Sequence, residues 1–307
     1  MTLPLQENQL NRARGSLLGL AVGDAIGTTV EFQPRGSFTP LTDMVGGGPF
    51  GLMPGQWTDD TSMALCLATS LVENGFDTHD QMQRYLLWHD EGYLSSTGRC
   101  FDIGNATSTA MERFRRTGNP MAGSTRPESA GNGSIMRLAP IPIHYLDTPE
   151  LAIEMSAAQS KTTHRAPECL GACHLLAQAL IRALQSRAKE DVLAPTLQTI
   201  PMSDSLMLID AGQYKTKAQA QIRGSGYVVQ SLEAAFWCFW QTGSFRDCVL
   251  LAANLGDDAD TTAAVAGQLA GAFYGESGIP ASWLQKLTLA NEIGLLAEQL
   301  TLQKPKR

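Results

Sequence analysis

Residues Leu255–Gly275 read LGDDADTTAAVAGQLAGAFYG. A turn at Gly256 leads into three carboxylates, Asp257, Asp258 and Asp260, followed by Thr261, Thr262 and an alanine- and glycine-rich run. Val265, Leu269 and Phe273 fall at steps of four, the spacing of one apolar stripe on a helix. Gly267 and Gly271 lie on the same helix without side chains, so a second helix is expected to approach very closely. Asp and Thr at a helix start also suit ordinary capping, where they satisfy free N–H groups and complement the dipole. Capping accounts for one or two acids. Three within four residues on a buried helix repel one another and lose hydration unless a cation or proton compensates.

A second stretch has the same grammar. Gly55–Leu71 reads GQWTDDTSMALCLATSL, with Thr58 as N-cap, Asp59 and Asp60 in the first turn, and Met63, Leu67 and Leu71 as a buried stripe. Hard divalent cations such as Mg²⁺ or Mn²⁺ want six oxygen ligands, more than either cluster supplies. Together the two helix starts have enough oxygens for two ions, with positions open for water and substrate.

The rest of the chain limits the possibilities. With 307 residues, 43% of them hydrophobic, it can bury a large core, and no apolar run reaches the length of a membrane span. A net charge of −7 gives no reason to expect a nucleic-acid partner. The start, MTLPLQENQLNRARG, has no secretory pattern, and the six cysteines form no CxxC pair or disulfide framework. A reducing, cytoplasmic setting is expected. Cys169, Cys173 and His174 suggest zinc by spacing, but their amphipathic helix favours core packing. No strand-like alternation outcompetes helix, so the chain reads as all-α, residues 1–307 forming a single helical domain.

Between these landmarks, Leu5–Phe32 is helical and dense in small residues, with Asp24 read as a structural carboxylate that bonds backbone amides. Glu31 ends that region before the breaker Gln33-Pro34-Arg35-Gly36, where a carboxylate can reach a cleft as general base. Pro34–Pro54 reads as a mobile loop, and Thr78–Glu91 as an amphipathic helix. Asp102, Gly104 and Asn105 form a polar turn that either caps the next helix or enters a pocket. Gly131, Asn132, Gly133 and Ser134 form a glycine-rich loop able to aim amides, and the Ser134 hydroxyl, at an anion, with Arg137 as anchor. His164 interrupts two helical segments in Leu151–Leu184. Ser186–Arg223 is the least regular segment. Tyr227 follows a Gly-Ser-Gly turn, where its ring can meet a planar group, and opens the apolar helix that runs to Trp240. Trp283–Leu302 reads as one C-terminal helix with a basic tail.

In order along the chain, GSLLGLAVGDAIGTTVEF, WTDDTSMAL, DIGNAT, GNGSIMR, Thr163-His164 and the opening stretch resemble the ADP-ribosylglycohydrolases. The resemblance covers about Asn11 to Gly275. It implies a compact, orthogonally packed multi-helix bundle with a dinuclear Mg²⁺ or Mn²⁺ site at the base of a cleft. Thr58, Asp59 and Asp60 would supply ligands from one side, and Asp258, Asp260 and Thr261 from the other. Asp260 would lie between the ions, and Asp257 would cap its helix instead. Glu31 and Asp102 would be the catalytic acids, either of them the general base. Residues 131–134 would hold a diphosphate, His164 the phosphate–ribose portion, and Tyr227 the nucleoside end.

The activity so implied is hydrolysis at the anomeric carbon of ADP-ribose, releasing ADP-ribose from a modified protein side chain, foremost arginine. Serine-linked ADP-ribose, a modified nucleic-acid end and a small ADP-ribosyl metabolite are the alternative substrates. A non-catalytic, crystallin-like role would be marked by loss of metal ligands, and all six are present.

Overall fold

The computed structural model describes residues 5–185, 187–196 and 202–303, which are predominantly helical and contain no β-sheet. In chain order the helices are α1 (Leu5–Gly27), α2 (Asp59–Asn74), α3 (Thr78–Glu91), α4 (Asn105–Thr117), α5 (Pro140–His144), α6 (Pro149–Ser160), α7 (Pro167–Leu184), α8 (Lys189–Val192), α9 (Asp204–Asp210), α10 (Val228–Gln241), α11 (Phe245–Ala253), α12 (Ala259–Tyr274), α13 (Ala281–Lys286) and α14 (Ala290–Leu302). The all-α expectation holds.

The architecture is built on α1 and α12. Gly15, Gly19, Gly23 and Gly27, one per turn of α1, lie against the carbonyls of Gly271, Gly267, Ala263 and Ala259. A Cβ at any of the four would collide with that backbone, so the helices run antiparallel, main chain against main chain. This is the close neighbour that the glycines of the opening stretch required. At one end of the pair, Arg12 donates to the carbonyls of Ala272 and Phe273 and closes the α12 terminus. At the other end, Asp24 of α1 and Asp260 of α12 arrive together.

Asp24 also recruits α2. One of its oxygens accepts from the Thr58 amide and hydroxyl, both at 2.9 Å, and the other from the Thr61 amide at 3.0 Å and hydroxyl at 2.6 Å. Asp24 is therefore the buried structural carboxylate expected, serving the first turn of α2. Thr58 occupies the N-cap position, but its hydroxyl turns to Asp24 and makes no cap bond.

Three expectations are corrected. Asp257 does not cap α12: it is exposed, has φ +57°, and its main chain pairs with residues 32 and 33. Asp258 takes the N-cap position, without a side-chain cap bond. Trp283–Leu302 is two helices, since Leu289 has φ +57° and the Thr288 amide bonds the Gly55 carbonyl. The loop over 34–54 is helix-free but tied down: Asn254 bonds the Leu41 main chain and Lys286 bonds Asp43. Within Ser186–Arg223, the short α8 and α9 bury Val192, Leu206 and Ile209; Ser186, residues 197–201 and the basic tail at 304–307 lie outside the described residues. Cys169 and Cys173 are fully buried and free, as core packing requires.

Candidate active site

The ends of α1, α2 and α12 meet at the base of a cleft of about 520 Å³. Seven acids gather there: Asp24, Glu31, Asp59, Asp60, Asp102, Asp258 and Asp260. Glu31, Asp59, Asp60 and Asp260 are buried, whereas Asp102 and Asp258 are half-buried. Among the described residues no lysine or arginine pairs with any of them.

The acids form two groups that share one member. One oxygen each from Glu31, Asp102 and Asp260 lie within 4.8 Å of one another, and so do oxygens of Asp59, Asp60 and Asp260. Thr58 Oγ1 is 3.4 Å from Asp260 and 3.5 Å from Asp60, and Thr261 Oγ1 is 3.4 Å from Asp60. Asp258 stands beside both groups, its Oδ2 accepting from Asn132 Nδ2 at 2.5 Å. Asp59, Asp258, Asp260 and Thr261 line the cleft, while Thr58 and Asp60 lie beneath its floor.

Burial dominates the electrostatics. It raises Asp59, Asp60 and Asp260 well above the usual carboxylate range, neighbouring carboxylates adding to the effect. Burial, then the charge of Asp102, pushes Glu31 up to about 10, and burial raises Asp102 to about 7. One oxygen on each of Glu31, Asp60, Asp102 and Asp260 is buried without a hydrogen-bond partner. Buried oxygens left unpaired in a purely acidic cluster suit hard cations, which supply the missing charge and take oxygen ligands. The residues fit a divalent metal site.

The glycine loop adjoins the acids as another part of the cleft wall. Arg137, fully buried, anchors it by donating to the Gly133 carbonyl at 2.7 Å, Gln159 Oε1 at 3.0 Å and Thr163 Oγ1 at 2.7 Å. The loop's amides are partly committed: Gly131 bonds the Ser129 carbonyl and Asn132 the Gly226 carbonyl. The amides of Gly133 and Ser134 have no protein acceptor among the described residues. The Ser134 hydroxyl does not reach the cleft as expected: its side chain is fully buried and accepts from Cys173 Sγ at 3.5 Å.

His164 lines the cleft, with Gly131 and Gly133 stacked on its ring. Burial, and then Arg137, push the imidazole down to about 3, so at neutral pH it offers a hydrogen bond and no charge. Tyr227 pairs with Gly131 through the main chain at the rim, and its hydroxyl donates to Glu168 at 2.7 Å. Tyr227 is exposed and not part of the cleft wall. Phe32, Ile103 and Met136 also line the cleft; as ordinary apolar residues they carry no sequence signal.

The ADP-ribosylglycohydrolase family model matches residues 5–307. This chain belongs to the ADP-ribosylglycohydrolase family. It is 50% identical to ADP-ribosylarginine hydrolase Tri1 of Pseudomonas putida (strain GB-1), over 97% of this chain and 80% of that protein. It is 34% identical to the ADP-ribosyl-[dinitrogen reductase] glycohydrolase of Rhodospirillum rubrum, over 92% of each. A solved structure described as an ADP-ribosylglycohydrolase-related protein complex aligns with a TM-score of 0.87 and 42% identity, covering 96% of this chain and 98% of that one.

Proposed function

We propose that the protein hydrolyses the bond between the ribose anomeric carbon of ADP-ribose and an arginine side chain of a modified protein, releasing ADP-ribose. The observation that carries this reading is the pair of acid groups sharing Asp260, with unpaired buried oxygens, beside a glycine loop in one cleft. Family membership supports the glycohydrolase chemistry. The arginine linkage rests on similarity to relatives whose names state arginine or dinitrogen reductase.

In this reading Thr58, Asp59, Asp60, Asp258, Asp260 and Thr261 hold two divalent cations, Mg²⁺ or Mn²⁺. Such ions, when bound, orient the ribose hydroxyls and acidify water for attack. The amides of Gly133 and Ser134 receive the diphosphate, and neutral His164 donates to the phosphate–ribose portion. Tyr227 meets the nucleoside at the rim. The breaking bond passes through an oxocarbenium-like ribose. Glu31 and Asp102, facing one another, divide the proton work: one gives a proton to the departing guanidine nitrogen and the other takes one from the attacking water. Asp24 keeps α2 in place and touches no substrate.

The test is release of ADP-ribose from arginine-modified and serine-modified proteins with Mg²⁺, Mn²⁺ or EDTA, beside an Asp258→Ala/Asp260→Ala control. Release from the arginine substrate that needs a cation and is lost in the control is expected. Release only from serine, or release indifferent to EDTA, contradicts the proposal.

A further inference from the structure

Three aromatic side chains, Phe32, Phe50 and Phe101, cluster on the side of Glu31 and Asp102, and the exposed Met53 follows Phe50 in the same loop. Phe32 is 65% exposed and Met53 69%. The Phe32 and Phe50 rings meet edge-on at 6.4 Å, and Phe50 lies 5.2 Å from Phe101. Single exposed apolar residues are ordinary, but a contiguous group at the mouth of a polar cleft is not.

These side chains come from three loops that the fold holds in register. Gly48 lies so close to the Thr28 carbonyl that a Cβ would collide with it, which seats the Phe50 turn beside the Glu31 segment. Gln56 donates to the Ser96 carbonyl at 3.3 Å and Ser96 to the Trp57 carbonyl at 2.5 Å, tying the third loop to the second. Phe32 and Asp102 both have φ +62°, a conformation that bulky side chains rarely adopt. At both places the acid lines the cleft and its neighbour in sequence is a phenylalanine. Glu31 is 3% exposed and Phe32, next to it, is one of the most exposed phenylalanines.

We propose that this patch is the docking surface for the polypeptide that carries the modified arginine, and that it receives apolar side chains flanking that residue. The inference rests on the arginine-linkage reading above. Phe32 lines the cleft and follows Glu31, and Phe101 precedes Asp102, so a group leaving between these two acids emerges across the patch. A small metabolite ends at the cleft floor and has no use for the surface. A protein substrate must lay its main chain there, and aromatic anchors are the side chains that dominate such contacts.

The experiment uses three substrates with the Mg²⁺-loaded enzyme: free ADP-ribosyl-arginine, a peptide with one ADP-ribosylated arginine flanked by Gly and Ser, and the same peptide flanked by Leu and Phe. The wild type is expected to prefer the apolar-flanked peptide by about tenfold in KM. A Phe50→Ser/Met53→Ser variant, changed outside the cleft wall, is expected to lose that preference and keep its rate on free ADP-ribosyl-arginine. Met53→Ser alone, at the most exposed position, is expected to lose part of it, which separates docking from any disturbance of the Phe50 turn. Equal KM for the two peptides with the wild type, or a preference that survives in the double variant, overturns the inference. So does sedimentation showing a dimer that the double variant dissociates without change in KM, because the patch then belongs to a second copy of the chain. Failure to hydrolyse even free ADP-ribosyl-arginine is a different result, and it removes the arginine-linkage reading itself.

Discussion

The buried acids of the cleft have a consequence for stability that each residue's surroundings define. In the unfolded chain carboxylates titrate near 4, about 3.9 for Asp and 4.3 for Glu. In the folded chain burial carries Asp102 to about 7 and Glu31 to about 10. Above the unfolded values and below the folded ones, the native state holds protons that the unfolded chain has released, so stability falls as pH rises. His164 works in the opposite direction, held down to about 3, but its contribution is complete above the ordinary histidine range. Between pH 6.5 and 8.5 the carboxyls therefore set the slope. The metal-free protein is expected to lose stability steadily across that window, and saturating Mg²⁺ to flatten the curve; thermal melts in EDTA and in Mg²⁺ check both. A rising or level curve in EDTA would contradict the assignment. Which acids enter the cleft was only partly legible in the sequence. Asp24 among small residues read as structural, and it is. Asp257 and Asp258 are neighbours of one type, and only the backbone, positive in φ at Asp257, sends one outward and leaves the other at the site. The burial of the Ser134 hydroxyl depends on α7 lying beneath the loop, a long-range contact that no local pattern encodes.

At the scale of elements, the structure turns on the glycine row of α1. Ala in place of Gly inside a helix ordinarily gains about 1 kcal/mol from propensity. At Gly23 the added Cβ meets the Ala263 carbonyl, main chain that cannot swing aside. Overpacking of that kind costs roughly 1–3 kcal/mol or more, so the net sign is destabilising. Gly23→Ala is expected to lower the urea midpoint, and Gly243→Ala, in an exposed loop with open space, to leave it near the wild-type value. Equal midpoints for both variants would contradict the close approach of α1 and α12. The element boundaries show what local sequence can convey. Thr78–Glu91 was legible to the residue, with Asp77 capping its start and Gly92 left-handed at its end. The break between α13 and α14 was not, because neither Gly nor Pro marks it; it follows from the Thr288 bond to Gly55, far away in the chain.

For the whole molecule, one contiguous apolar core from Ala13 to Leu300 holds the ends of α1, α2 and α12 against mutual repulsion of their acids. Two acidic helix starts more than 190 residues apart in sequence were legible as partners because each alone has too few oxygens. Their union through Asp24 became visible only in three dimensions, whereas the place of Asp260 in both acid groups is what the family resemblance implies. That shared carboxylate is the centre of the account. The most direct measurement is calorimetric titration of Mn²⁺ into the metal-free wild type and into Asp260→Asn. The account predicts two equivalents for the wild type and loss of tight binding at both sites in the variant. Absence of binding to the wild type, or two equivalents undiminished in Asp260→Asn, would contradict it.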